Sequence, residues 1–131
     1  MTIKITLDGG KVVTAHMGRH TIKTDQPLMG GGTDTAPAPY DLFLASLGTC
    51  AGIYIQGFCE QRGLPYQDIT IDQTMVWDPI ARKMKQIRLD INLPAGFPEK
   101  YKESVIRAAD LCSVKKTIQD PPEFIVTTRE K

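Results

Sequence analysis

Three cysteines set the chemistry open to this sequence. Cys50 and Cys59 lie within the apolar run Ala38–Gly63, APYDLFLASLGTCAGIYIQGFCEQRG, and Cys112 follows in ADLCSVKKT. The thiolate is the nucleophilic form of cysteine, so reactivity requires access and something that lowers the thiol pKa. Cys50 and Cys59 are nine residues apart. At about 3.6 residues per turn this is a half-turn offset, which points the two thiols to opposite faces of one straight helix. If Cys50 has a disulfide partner within the chain, Cys112 is the candidate. Cys112 sits where one helix ends and another begins, and free N–H groups at a helix start stabilise a thiolate. Lys115 and Lys116 add positive potential within the next turn. Each thiol also has a plainer reading, because free cysteine commonly fills a core as a small hydrophobe.

Two thiols on separate elements, far apart in sequence, suit a redox pair better than a structural bridge in a reducing compartment. Such a pair needs a nucleophilic thiolate, a cation to favour it, a second thiol and an apolar pocket. Arg19, at the Gly18-Arg19 break between two strand-like segments, is the candidate cation and stays charged at any working pH. The plainer alternative is a solvated loop arginine. Other chemistries lack their signatures. His16 and His20 are four apart, but no carboxylate or cysteine accompanies them at zinc-site spacing, so no metal is expected. The Gly30-Gly31-Gly32 run lacks the Gly-Lys-Ser/Thr ending of a phosphate loop and reads as a flexible crossover. Neither a Gly-x-Ser-x-Gly elbow nor a Cys-x-x-Cys pair occurs.

The elements that must position these residues form one domain, residues 1–131, of α+β class. Ile3–Leu7, Lys11–Met17 and His20–Thr24 read as antiparallel strands, with Asp8-Gly9-Gly10 supplying a tight turn. A helix follows from Tyr40 to about Arg62, apolar on nearly all faces and therefore expected to be buried on most sides. Its Gly48-x-x-x-Gly52 spacing would let another backbone approach closely. Ile69–Val76 and Met84–Leu93 form a hairpin. Glu99–Asp110 is an amphipathic helix with Tyr101, Val105, Ile106 and Ala109 on one stripe, and Cys112–Ile118 is a short second helix. Glu123–Arg129 closes the chain as a strand, giving the order β-β-β-α-β-β-α-α-β.

Composition narrows the setting. With 16 Lys and Arg against 15 Asp and Glu, no basic field recruits nucleic acid. Leu42–Cys59 reaches the lower length limit of a membrane span. Asp41 and Glu60 flank it tightly, however, and no aromatic belt marks an interface, so no membrane partner is expected. The start, MTIKITLDGG, has no apolar signal region, and an odd number of cysteines does not suit a secreted disulfide framework. A cytoplasmic location is expected.

PAPYDLFLASLGTC followed by a helix, with RAADLCSVKKTI about sixty residues later, resembles the OsmC/Ohr family of organic hydroperoxide reductases. The resemblance spans nearly the whole chain. It implies antiparallel sheets wrapped around long central helices in an intertwined homodimer. It also implies a thiol-dependent peroxidase that acts on small organic hydroperoxides, and more weakly on hydrogen peroxide, in oxidative stress defence. Cys50 takes the peroxidatic position and Cys112 the resolving one, and Arg19 is the match for the arginine that polarises thiolate and peroxide. No cofactor is implied beyond an external dithiol reductant. One branch places a glutamate directly after the helix-starting proline, where it holds that arginine. Here Pro39 is followed by Tyr40 and then Asp41, the candidate arginine partner. The Tyr-acid pattern is closer to the broader OsmC-like branch. Phe43, Leu47 and Ile53 are the candidate apolar walls. The alternative is a non-catalytic OsmC-like protein that binds an apolar small molecule.

Overall fold

The computed structural model describes residues 1–131 as two compact units, Met1–Ala45 and Ser46–Lys131. In the first, strands β1 (Lys4–Gly9), β2 (Val12–Met17) and β3 (His20–Thr24) form an antiparallel meander. Gly10 and Lys11 make the first turn, and Gly9, which ends β1, and Gly10 have φ of 92° and 60°, the left-handed region that Asp-Gly-Gly was expected to supply. Register pairs Ile5 with Ala15 and Ala15 with Ile22, so these side chains share one face of the sheet.

The glycine-rich segment after β3 is tied into a closed loop. Asp25 is completely buried, and its N–H donates to the Pro37 carbonyl at 3.2 Å, joining the two ends. Its carboxylate accepts from the Thr33 hydroxyl at 2.6 Å and the Thr35 hydroxyl at 2.8 Å. It also accepts from the Thr35 N–H at 3.1 Å and the Gln26 N–H at 2.7 Å. Short loops with joined ends, packed on their own side chains, are a recurrent compact class. The Thr33 hydroxyl, then the Thr35 amide and hydroxyl, hold the Asp25 carboxyl well below the ordinary carboxylate range. Gly32 is required by close approach, since a Cβ there would lie 2.0 Å from the Gln26 carbonyl oxygen. The loop then feeds directly into α1 (Pro39–Gln61). At its start the Asp41 carboxylate accepts from the Ala38 N–H at 3.2 Å, half of a capping box.

The second unit contains α1 from Ser46 onward, the antiparallel hairpin β4 (Thr70–Asp78) and β5 (Lys83–Asn92), and helices α2 (Lys102–Asp110) and α3 (Ser113–Gln119). Its core gathers Ala51, Ile55 and Cys59 of α1 with Phe97, Val105 and Ala109. Ile71, Leu89 and Ile91 of the hairpin cover one side. Gly48 and Gly52 do meet a neighbour, but the neighbour is side chains of β4. A Cβ on Gly48 would stand 2.7 Å from Gln73 Oε1, and one on Gly52 would stand 3.8 Å from Ile71 Cδ1.

Three expectations are corrected. Helix α1 is not buried on most sides by this chain. It buries only the stripe Leu47, Ala51, Ile55 and Cys59, spaced by four, while Ile53 remains 60% exposed. It has the length and apolar character to cross a bilayer, yet that stripe is packed as in a core helix. Ile106 lies off the α2 stripe and is exposed, because a helix starting at Lys102 turns Val105, Ala108 and Ala109 inward instead. Finally, Glu123–Arg129 forms no strand. Strand propensity makes a strand only where a neighbouring strand supplies ladder partners, and here Phe124, Ile125 and Val126 stand exposed.

The Asp25 loop gives a pH prediction with a definite sign. A carboxyl depressed on folding contributes stability above its unfolded pKa, near 3.9, and that contribution disappears as pH falls through the lower folded value. Asp25→Asn should therefore lower the denaturation midpoint at pH 7 and lessen the loss of stability on acidification. Denaturant melts of both proteins between pH 7 and pH 3 measure this, and parallel curves would contradict it. Gly32→Ala should destabilise at every pH.

Candidate active site

Cys50 lies near the middle of α1, on the flank of the buried stripe, and is half-buried with a free thiol. Cys112 is buried and free, and it is the N-cap residue of α3. The chain brings the two together. Backbone amides of Val114 and Ser113, in the first turn of α3, and the Cys112 thiol are the neighbours that act on the Cys50 thiol. The Val114 amide, then the Cys112 thiol, pull the Cys50 pKa below the ordinary thiol value. Partial burial opposes them, and the Ser113 amide adds to the lowering.

Cys112 has its own bonds. Its thiol donates to the Leu47 carbonyl at 3.9 Å, and its sulfur accepts from the Lys115 N–H at 3.5 Å. One S–H proton cannot serve both the Leu47 carbonyl and Cys50. With Cys50 protonated the carbonyl is a fitting acceptor; once Cys50 ionises, rotation about the Cys112 Cβ–Sγ bond aims the proton at the stronger acceptor, the thiolate. The second thiol is thus placed to stabilise the first, once ionised, by a hydrogen bond.

The α3 start was expected to activate Cys112, but its amides also serve Cys50 across the gap between helices. Lys115 contributes less field than expected, because its ammonium is paired with the Asp110 carboxylate. Cys59 faces the core as its half-turn offset requires. It is fully buried, and burial pushes its thiol pKa up, against a weaker lowering by the Arg62 charge. Arg19 lies in the turn between β2 and β3, after Gly18 with φ of 57°. Arg19 and Asp41 both belong to the first unit. Asp41 is engaged with the Ala38 N–H. His16 faces Thr6, with Nε2 to Oγ1 at 3.2 Å.

The expected apolar walls separate. Leu47 is buried beside Cys112, Phe43 stacks on Tyr40 with ring centroids 5.6 Å apart, and Ile53 lines a cleft of about 350 Å³. Gly52, Ile55, Tyr66, Ile69 and Ile71 line it with Ile53, whereas Cys50 and Cys112 do not.

One contact escaped the sequence reading. Tyr54, one turn beyond Cys50, bonds through its hydroxyl to Ser113 Oγ at 2.9 Å. The i, i+4 spacing placed Tyr54 on the Cys50 face of the helix, but no sequence signal joined it to Ser113.

A family model described as OsmC-like protein matches residues 31–127. No curated protein sequence matches this chain closely enough to count as a relative. Among solved structures, the chain is similar to a proposed osmotic stress induced and detoxification response protein from Psychrobacter arcticus 273-4. The two are 24% identical, with a TM-score of 0.75 over 89% of this chain and 87% of that one. It is also similar to an OsmC like protein from Mycoplasma pneumoniae, at 17% identity and a TM-score of 0.71 over 92% and 87%. The organic hydroperoxide resistance protein OhrB of Bacillus subtilis matches at 19% identity and a TM-score of 0.57 over 92% and 93%. At these identities the likeness is one of fold.

The site predicts an order of thiol reactivity. At pH 7.5 iodoacetamide should modify Cys50 first and leave Cys59 unmodified until the chain unfolds, as peptide mass mapping would read. Equal labelling of Cys50 and Cys59 in the folded protein would contradict the geometry.

Proposed function

This chain belongs to the OsmC-like protein family, and on that premise we propose that it is a thiol-dependent peroxidase for organic hydroperoxides, acting in oxidative stress defence. The observation that carries the proposal is the Cys50 thiol, made acidic by the α3 amides, with free Cys112 in bonding reach. Solved neighbours named as organic hydroperoxide resistance proteins support the same reading.

In the first step the Cys50 thiolate attacks the peroxide. An S–O bond forms as the O–O bond breaks, the alkoxide leaves with a proton as alcohol, and Cys50 becomes a sulfenic acid. The α3 amides and the Cys112 S–H stabilise the attacking thiolate. The Arg19 guanidinium is assigned to the peroxide and its departing oxygen, with Asp41 as the carboxylate that would orient it. In the second step the Cys112 sulfur attacks the Cys50 sulfenic acid, the S–S bond forms as the S–O bond breaks, and the departing hydroxyl leaves as water with the Cys112 thiol proton. An external dithiol then takes up the oxidising equivalents by exchange and regenerates both thiols. These steps need no metal or organic cofactor. They suit the cytoplasm, where thiols are held reduced. Burial of the alkyl group against apolar side chains of the assembled site would favour organic hydroperoxides over hydrogen peroxide.

The working unit in this reading is a homodimer. The uncovered face of α1 with Ile53, the hairpin end with Trp77 and Ile80, and the unpaired β-prone segment Phe124–Val126 are the apolar surfaces it would cover. The cleft that excludes both thiols favours a second reading, non-catalytic binding of an apolar small molecule.

Turnover decides between them. With dithiothreitol as electron donor, cumene hydroperoxide should be consumed catalytically, and hydrogen peroxide more slowly. Cys50→Ser should abolish consumption, and Arg19→Ala should lower it by about two orders of magnitude or more, the scale on which oxyanion donors act. Absence of turnover in the wild-type chain would favour the binding reading. For the assembly, sedimentation should give a dimer and Ile53→Asp a smaller species; a wild-type monomer would contradict that part.

A further inference from the structure

The amides that act on Cys50 are carried by a weakly anchored helix. Helix α3 is seven residues long and contributes no buried residue. A segment this short has little helical stability of its own and keeps its place through contacts with neighbours. Its ties to α1 include the Ser113 and Val114 amides on Cys50, the Cys112 thiol on the Leu47 carbonyl, and the Tyr54 hydroxyl on Ser113 Oγ. The first two end on sulfur, and both must change when the thiols react. Cys112 releases Leu47 to form the S–S bond, and Cys50 sulfur becomes an oxygen-bearing and then a disulfide sulfur. Of these three, the Tyr54–Ser113 bond is the one that involves no reacting atom.

We propose that Tyr54 is a positioning residue that keeps the start of α3 docked on Cys50 throughout the redox cycle. It thereby sets both the acidity of Cys50 and the reach of Cys112. Its position follows from helix geometry, because Tyr54 is one turn from Cys50 on the same flank of α1. Ser113 immediately follows Cys112 and precedes Val114, whose amide acts most strongly on Cys50, and its own amide adds a smaller share. The Tyr54 hydroxyl therefore grips the same residue whose amide stabilises the thiolate. Losing that grip lets α3 tilt away, which raises the Cys50 pKa and lengthens the interval between sulfenate formation and disulfide closure. The effect on closure rests on the peroxidase reading above, whereas the effect on acidity does not.

The test compares wild type with Tyr54→Phe and Ser113→Ala, and with Ser113→Thr as a hydroxyl-retaining control. Cys50 alkylation by iodoacetamide is followed against pH in a Cys59→Ala, Cys112→Ser background, where no disulfide can form. The two hydroxyl deletions should move the inflection to higher pH. They should slow alkylation below it by about two- to tenfold, the scale of one lost hydrogen bond, and Ser113→Thr should restore the wild-type profile. In the chain with both redox thiols, one equivalent of cumene hydroperoxide followed by dimedone should trap more Cys50 sulfenate in Tyr54→Phe than in wild type. Circular dichroism selects variants that remain folded. Should Tyr54→Phe fail to fold, Ser113→Ala carries the same expectation from the other side of the bond. An unchanged alkylation profile in a folded deletion variant overturns the proposal. A shifted profile without any sulfenate would sustain the positioning role and count against the peroxidase reading alone.

Discussion

The site depends on one docking interaction, the first turn of α3 set against the Cys50 thiol of α1. A thiol in the middle of a helix has no amide donors to spare from its own element, because those groups close the helix ladder. Its pKa falls when another element brings unpaired N–H groups, a hydrogen-bonding side chain or a positive charge to it. Helix α3 does so at the one place where a helix has amides free. Because Cys112 is the N-cap of that helix, the same docking delivers the second thiol. Acidity of the first thiol and proximity of the second are thus two results of one piece of packing.

The rest of the second unit serves that placement. The stripe Leu47, Ala51, Ile55 and Cys59 fixes the rotation of α1, which leaves Cys50 on the flank rather than in the core. Val105, Ala108 and Ala109 anchor α2, and α2 ends at the residue pair that leads into Cys112. Gly48 admits the Gln73 side chain of β4 within a distance that any Cβ would close. Cys59, buried and raised in pKa, behaves as a core residue and leaves the acidic thiol to Cys50.

Much of this was legible in the sequence, and the reasons for success and failure are local. The hairpin β4–β5 and the meander were readable because period-two alternation and Gly-rich turns are short-range signals. The opposite facing of Cys50 and Cys59 followed from helical geometry alone. The Glu123–Arg129 strand was misjudged because propensity does not reveal whether a pairing edge exists within the chain. The burial of α1 was overread for a related reason: an all-round apolar helix announces that it must be covered, not by what. The Asp25 loop read as a flexible crossover because its order comes from Thr33 and Thr35 converging on one carboxylate, a contact that composition does not show. The Cys50–Cys112 pairing could be named as a candidate, whereas the α3 amides on Cys50 became visible only when the two helices were placed together.

The central claim is that Cys50 and Cys112 are a redox couple joined by the docking of α3. The most direct measurement is rapid-quench intact mass and disulfide mapping of the reduced chain after a single equivalent of cumene hydroperoxide. The account predicts a transient gain of one oxygen on Cys50 that gives way to a Cys50–Cys112 disulfide, with Cys59 untouched. Persistence of three free thiols, or oxidation that reaches Cys59 as readily as Cys50, would contradict it.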